Sequence, residues 1–222
     1  MIFDVKDLSF KYENKKGINN ITFSISAPGV LAIIGANGSG KTTLLKTIIG
    51  INHAQHGEVL IDERRIDDSI TDDISFLLDT DILIETFTVK EMIDYFIIMK
   101  KLGIEKDDLN ALLEKYSISG YINEKIKNLS KGIRKRVAIF LTFLGNPKVI
   151  ILDEPTDGLD TEGMILLKKI IKDNSSIIII TSHMLDFIEK IADSILFIKR
   201  GMIEAIGIDE FAKLEEKYIQ LK

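Results

Sequence analysis

Two short runs carry residue types that could handle a nucleotide phosphate. The first is GANGSGKT, residues 35–42, which fits the spacing G-x-x-x-x-G-K-[ST] at every fixed position. Glycines let backbone N–H groups turn inward around phosphate oxygens. A helix starting there would add the positive end of its dipole. Lys41 would reach the β- and γ-phosphates, and the Thr42 hydroxyl would bind Mg²⁺. The candidate ATP-binding set is Gly35, Asn37, Gly38, Ser39, Gly40, Lys41, Thr42 and Thr43. The second run is VIILDEP, residues 149–155, an apolar stretch ending in two carboxylates. A buried strand would deliver Asp153 to its C-terminal edge, where phosphate loops sit in open α/β sheets. Asp153 would hold Mg²⁺, and Glu154 would polarise an attacking water as general base. Alone, the second run reads equally well as a solvated acidic turn. Beside a phosphate loop it points to ATP and Mg²⁺.

These runs need rigid elements to place them. VLAII (30–34) is a continuous apolar run, as expected of a strand buried on both faces, and it leads into the glycine loop. TTLLKTIIG then reads as a helix closed by Gly50. Upstream, IFDVKDLSF and INNITFSIS alternate like strands and end at Pro28–Gly29. HGEVLIDERRI and ISFLL (74–78) continue in the same manner. From Thr88 the period becomes helical, with Val89, Met92, Ile93, Phe96 and Ile97 on one face. DDLNALLEKY and SKGIRKRVAIFLTFLG are further helices; the second carries the stripe Ile133, Val137, Phe140, Leu141 and Leu144. Strand and helix patterns alternate again to the end, with one short helix over 208–222. The pattern predicts one α/β domain, its core from 1–87 and 146–222, with a helical insert over 88–145.

LSKGIRKR, residues 129–136, has four basic residues in eight. It could grip nucleic-acid phosphates, form a solvated helix face, or be half of a nucleotide site completed by a second chain. Here the chain resembles the ATP-binding cassette (ABC) ATPases over nearly its whole length. The resemblance rests on the two phosphate motifs, the helical block between them, LSKGIRKR before the acidic strand, DGLD (157–160) after Glu154-Pro155, and His183 ending IIIITSH. It implies a P-loop NTPase core with an N-terminal antiparallel β subdomain and an inserted α-helical subdomain. It implies that Tyr12 stacks on adenine and that His183 joins Glu154 and Lys41 in catalysis. It further implies a head-to-tail dimer, in which Ser130, Gly132 and Asp160 contact the partner's nucleotide site. Asp79 stands where the family has glutamine, and would join Thr42 and Asp153 at the metal. Lys131 replaces the family's first signature glycine, and Ile133 its glutamine. Lys131 keeps its backbone N–H and adds a charge attractive to phosphate. In this SKG signature the chain resembles ABC-2 type exporter cassettes. A surface tracking a nucleic-acid backbone would want basic residues beyond one helix and aromatic partners, so no nucleic acid is expected. Arg136 and Lys135 read as solvated.

Composition bounds the rest. The chain has 222 residues, 45% hydrophobic, a net charge of −5 and no cysteine. That suits a sizeable core and excludes disulfides and Cys-based metal sites. No leader and no membrane-length apolar run is visible. The expected location is therefore cytoplasmic; the resemblance implies attachment at the inner face of the cell membrane through separate transmembrane chains. The second cassette would be an identical or related chain. The resemblance to exporter cassettes implies that the cargo would be a drug, peptide, lipid or polysaccharide, moved outward. A soluble ABC ATPase of translation or DNA maintenance is the alternative, and a non-hydrolysing regulatory module a third. The first would bring a second cassette or a long coiled-coil insert. A regulatory module would lack one of Lys41, Glu154 and His183. Finally, TDILIETF (80–87) is apolar for a connecting loop. It is expected to line the groove for the transmembrane partner with a split, some side chains inward and one or two, Leu83 and Phe87, outward; the alternative is that all fold back into the helical subdomain.

Overall fold

The computed structural model describes residues 1–14, 16–66, 73–78 and 83–207. The helix expected over 208–222 lies outside the described residues, as does Asp79. An antiparallel sheet is built from β1 (Ile2–Lys11), β2 (Gly17–Ser26), β4 (His56–Ile61) and β5 (Arg64–Arg65), in the order β2-β1-β4-β5. A second sheet contains β3 (Gly29–Ile34), β6 (Ile74–Leu77), β7 (Val149–Leu152), β8 (Ile177–Thr181), β9 (Ser194–Lys199) and β10 (Met202–Gly207). Its order is β10-β9-β3-β8-β7-β6. All neighbours in it are parallel except the β9–β10 hairpin.

The continuous apolar runs follow from burial on both faces of this sheet. Ala32, Ile150, Ile178 and Phe197 point into one core cluster, shared with α2 (Val89–Met99), α4 (Lys131–Phe143) and α5 (Thr161–Lys172). Ile33, Ile151, Ile179 and Leu196 point the other way, into a cluster shared with β1, β2 and α1 (Lys41–Ile48). Each strand residue is thus covered, so alternation with polar residues is absent. Burying each such Ile contributes about 1.5–3 kcal/mol.

Helix ends obey local chemistry. Gly50, at φ 79°, follows α1 and its N–H donates to the Thr47 carbonyl at 3.2 Å. At α2, Thr88 and Glu91 cap each other reciprocally: the Thr88 N–H donates to Glu91 Oε2 at 2.7 Å, and the Glu91 N–H to Thr88 Oγ1 at 3.1 Å. The Thr88 backbone N–H, then its hydroxyl, hold the Glu91 carboxyl below its usual range. After α2 come α3 (Lys106–Lys115) and two 3₁₀ turns, Ser119–Tyr121 and Ile126–Asn128.

The segment before α2 corrects one expectation. Leu83 is only 6% exposed and belongs to the core, and Phe87 is half-buried against Tyr95, ring centroids 6.2 Å apart. Among the described residues of this segment, Ile84 is the apolar side chain that stays exposed. The cause is a backbone lock: the Ile126 N–H donates to the Phe87 carbonyl at 2.8 Å and the Lys127 N–H to Glu85 at 3.1 Å. That pairing turns Leu83 and Phe87 inward. Among the described residues, no helix is long and apolar enough to cross a membrane.

Candidate nucleotide site

Parallel strands send their C-terminal ends to one edge, and the site assembles there. From β3, residues 35–40 form the phosphate loop that opens α1. Gly35 has to be glycine because a Cβ there would stand 2.3 Å from the Ile198 carbonyl oxygen. Gly40 caps α1 at φ 114°, a backbone state that L side chains rarely adopt. Lys41 is buried, and its Nζ donates to the Gly35 carbonyl at 2.8 Å and that of Ala36 at 3.4 Å. Asn37 and Gly38 are exposed at the loop's crest. Ser39 is buried, and its Oγ has no hydrogen-bond partner among the described residues.

From β7 and β8 come the carboxylates and their supports. Asp153 is 1% exposed. It accepts from Thr42 Oγ1 at 2.8 Å on one oxygen and from Thr181 Oγ1 at 2.5 Å on the other. A buried carboxylate is tolerated here because hydroxyls replace its water. Thr181 works twice, since its Oγ1 also accepts the Glu154 N–H at 2.9 Å. Glu154 sits at φ 44°, strained for a non-glycine residue. Its Oε2 accepts from the His183 N–H at 3.1 Å and lies 3.0 Å from His183 Nδ1.

A cleft of about 440 Å³ runs from Tyr12 and Lys16 across the loop to Asp153 and Glu154. Tyr12 is 42% exposed; it meets Phe10 edge-on at 4.7 Å, and its OH accepts from Asn52 Nδ2 at 3.3 Å. Ser130, Gly132 and Asp160 do not line this cleft. Ser130 is exposed and caps α4, its Oγ accepting the Ile133 N–H at 3.3 Å. The Gly158 carbonyl oxygen would lie 3.3 Å from a Cβ at Gly132, and the Lys131 stem lies across Gly158. Asp160 caps α5, accepting the Gly163 N–H at 2.8 Å, and it pairs with Arg136 Nη2 at 2.7 Å.

Residues 18–157 match the family described as ABC transporter. This chain belongs to that family. An ABC transporter ATP-binding protein of Pyrococcus furiosus is 32% identical over 236 residues, covering 100% of this chain and 89% of that one. The lantibiotic transport ATP-binding protein SrtF of Streptococcus pyogenes is 29% identical over 202 residues, covering 90% and 87%. Among solved structures, a dimeric ATP-binding cassette in a post-hydrolysis state, bound to ADP and Pi, superposes with a TM-score of 0.80. It is 26% identical and covers 94% of this chain and 98% of its own. The fold is that of the ABC ATPases.

Within the cassette, the helix α4 corrects a second expectation. Arg136 is not solvated: it is 7% exposed, and Lys135 is half-buried. Arg136 lies on the side of α4 that meets the start of α5, and its guanidinium reaches Asp160 and, at 4.0 Å, Glu162. The Gly163 N–H, then the Arg136 guanidinium, hold the Asp160 carboxyl below its usual range. Sequence reasoning also passed over Thr181, Lys16 and Gly17. Thr181 had a readable sign, a hydroxyl ending an unbroken apolar strand. The positions of Lys16 and Gly17 depend on how the β1–β2 hairpin folds over the loop, which no spacing rule encodes.

Proposed function

We propose that this cassette binds ATP with Mg²⁺ and hydrolyses it to drive transport through separate membrane-spanning chains, with a second cassette completing each site. The observation that carries this reading is the shared Asp153: one carboxylate joins the Thr42 hydroxyl of the phosphate loop to Thr181, which also fixes Glu154. Thr42 Oγ1 and Asp153 Oδ2, 2.8 Å apart, are hard oxygen donors of the kind Mg²⁺ takes. These two oxygens would hold the ion, which would supply positive charge to offset that of the phosphates. Lys41 exchanges its loop carbonyls for phosphate oxygens, which are stronger acceptors. Tyr12 stacks on adenine. Glu154 takes a proton from the water attacking the γ-phosphorus as the bond to the bridging oxygen breaks and ADP departs. His183 holds Glu154 Oε2 in place. Asp79, outside the described residues, is included near the metal only because it stands where the family has glutamine.

Export is the proposed direction. The SKG signature supports it, and the likeness to a lantibiotic transport protein supports a transported cargo. Lys41→Ala tests the nucleotide reading. ATP affinity is expected to fall at least ~10-fold, since a charge-assisted contact to phosphate is lost. Fluorescence titration with an ATP analogue measures it; unchanged affinity would remove Lys41 from the site. The partner groove has its own test. Among the described residues Ile84, not Leu83, is the exposed apolar residue available to such a wall. In this cysteine-free chain, Ile84→Cys is expected to react with a maleimide in the isolated subunit and to be protected in the assembled transporter. Equal labelling in both would place the membrane partner elsewhere.

A further inference from the structure

Only Arg200 and Gly201 join β9 to β10, since Lys199 pairs with Met202. Both have positive φ, 50° and 77°, the turn handedness that matches the twist of a hairpin. Such turns usually project into water, but Gly201 is buried. Its N–H donates to the Ser39 carbonyl in the phosphate loop at 2.7 Å. Its carbonyl accepts from the Asn19 N–H of β2 at 2.8 Å. A Cβ at 201 would stand 2.1 Å from the Gly17 carbonyl oxygen, and one at Gly40 would stand 3.3 Å from the Gly201 Cα. Gly17 and Gly40 both line the nucleotide cleft, one from the Tyr12 hairpin and one from the phosphate loop.

We infer that Gly201 is a positioning residue of the nucleotide site: the β9–β10 turn is wedged between the Tyr12 hairpin and the phosphate loop and sets their spacing. The inference rests on the nucleotide reading of the cleft. One glycine hydrogen-bonds both walls through its backbone and leaves no room for a side chain. A methyl at 201 meets a backbone carbonyl that cannot rotate away, so a wall has to move. ATP spans both walls and feels that movement. Asp153, Glu154 and His183 follow β7 and β8, and this turn does not hold them.

Gly201→Ala is therefore expected to raise the KM for ATP about 10-fold, within the cost of displacing binding groups by a fraction of an ångström, with kcat within about 3-fold of native. A purely structural glycine would give the reverse, fewer active molecules and lower kcat at an unchanged KM. Gly201→Asn tolerates the positive φ but keeps the collision, so it is expected to raise KM as alanine does. Native KM in either folded variant overturns the inference. In the native chain, saturating ATP analogue is expected to slow hydrogen exchange at the Gly201 amide more than at Ile203. No such slowing overturns it even if both variants misfold. Failure of the native chain to bind the analogue would overturn the nucleotide reading, and this inference with it.

Discussion

Glu154→Gln is expected to keep ATP binding and to slow steady-state phosphate release by ~10²-fold or more. The substitution keeps shape and removes basicity. Glu154 is held by the Thr181 hydroxyl on its backbone and by His183 on its Oε2. A glutamine oxygen can still accept the His183 N–H, so the side chain stays in position and only proton acceptance is lost. The strained φ of 44° is a backbone property and carries over. His183→Ala is expected to cost less, because Thr181 still fixes the Glu154 backbone and the backbone N–H at 183 still donates to Oε2, so that only the imidazole contact is lost. Near-native turnover in Glu154→Gln would remove Glu154 from the role of general base.

The same residues show how much the sequence discloses. The phosphate loop was readable because its chemistry is backbone chemistry, and glycine spacing records backbone. The sheet core was readable because β3, β7 and β8 are buried on both faces, which leaves unbroken apolar runs. What failed was partner choice across elements. Arg136 looks solvated in a run of four basic residues. It is buried because α5 starts against α4 and presents Asp160. Leu83 looks outward in a loop and is buried because residues 126 and 127 pair with 87 and 85. Both contacts join segments distant in sequence, and the helical period of one segment says nothing about the other. Thr181 and Gly201 fall between these cases. Each residue type is suggestive, a hydroxyl at a strand end and a glycine in a two-residue turn. Their roles appear only once the register sets Thr181 beside Asp153 and Gly201 beside Ser39.

The second large effect concerns the proposed dimer. In the Glu154→Gln background, ATP with Mg²⁺ is expected to hold two chains together, and Ser130→Arg is expected to abolish that dimer. Ser130 is exposed at the N-terminus of α4, away from the chain's own cleft, so its unused face is available to a partner's γ-phosphate. Arginine there places bulk where a phosphate oxygen must approach. It also removes the cap on the Ile133 N–H, a loss of about 1 kcal/mol. Ser130→Ala separates the two effects, because it loses the cap without adding bulk. The alanine variant is expected to dimerise more weakly than the parent, and the arginine variant to stay monomeric with its ATP affinity as a monomer unchanged. Size-exclusion chromatography with light scattering reads the mass directly. If Ser130→Arg dimerises as the parent does, Ser130 lies outside any shared site. If the parent itself dimerises weakly, the departures at Lys131 and Ile133 become the place to look. Restoring glycine at 131 and glutamine at 133 should then strengthen the dimer, since glutamine returns an amide where Ile133 offers only packing against the core.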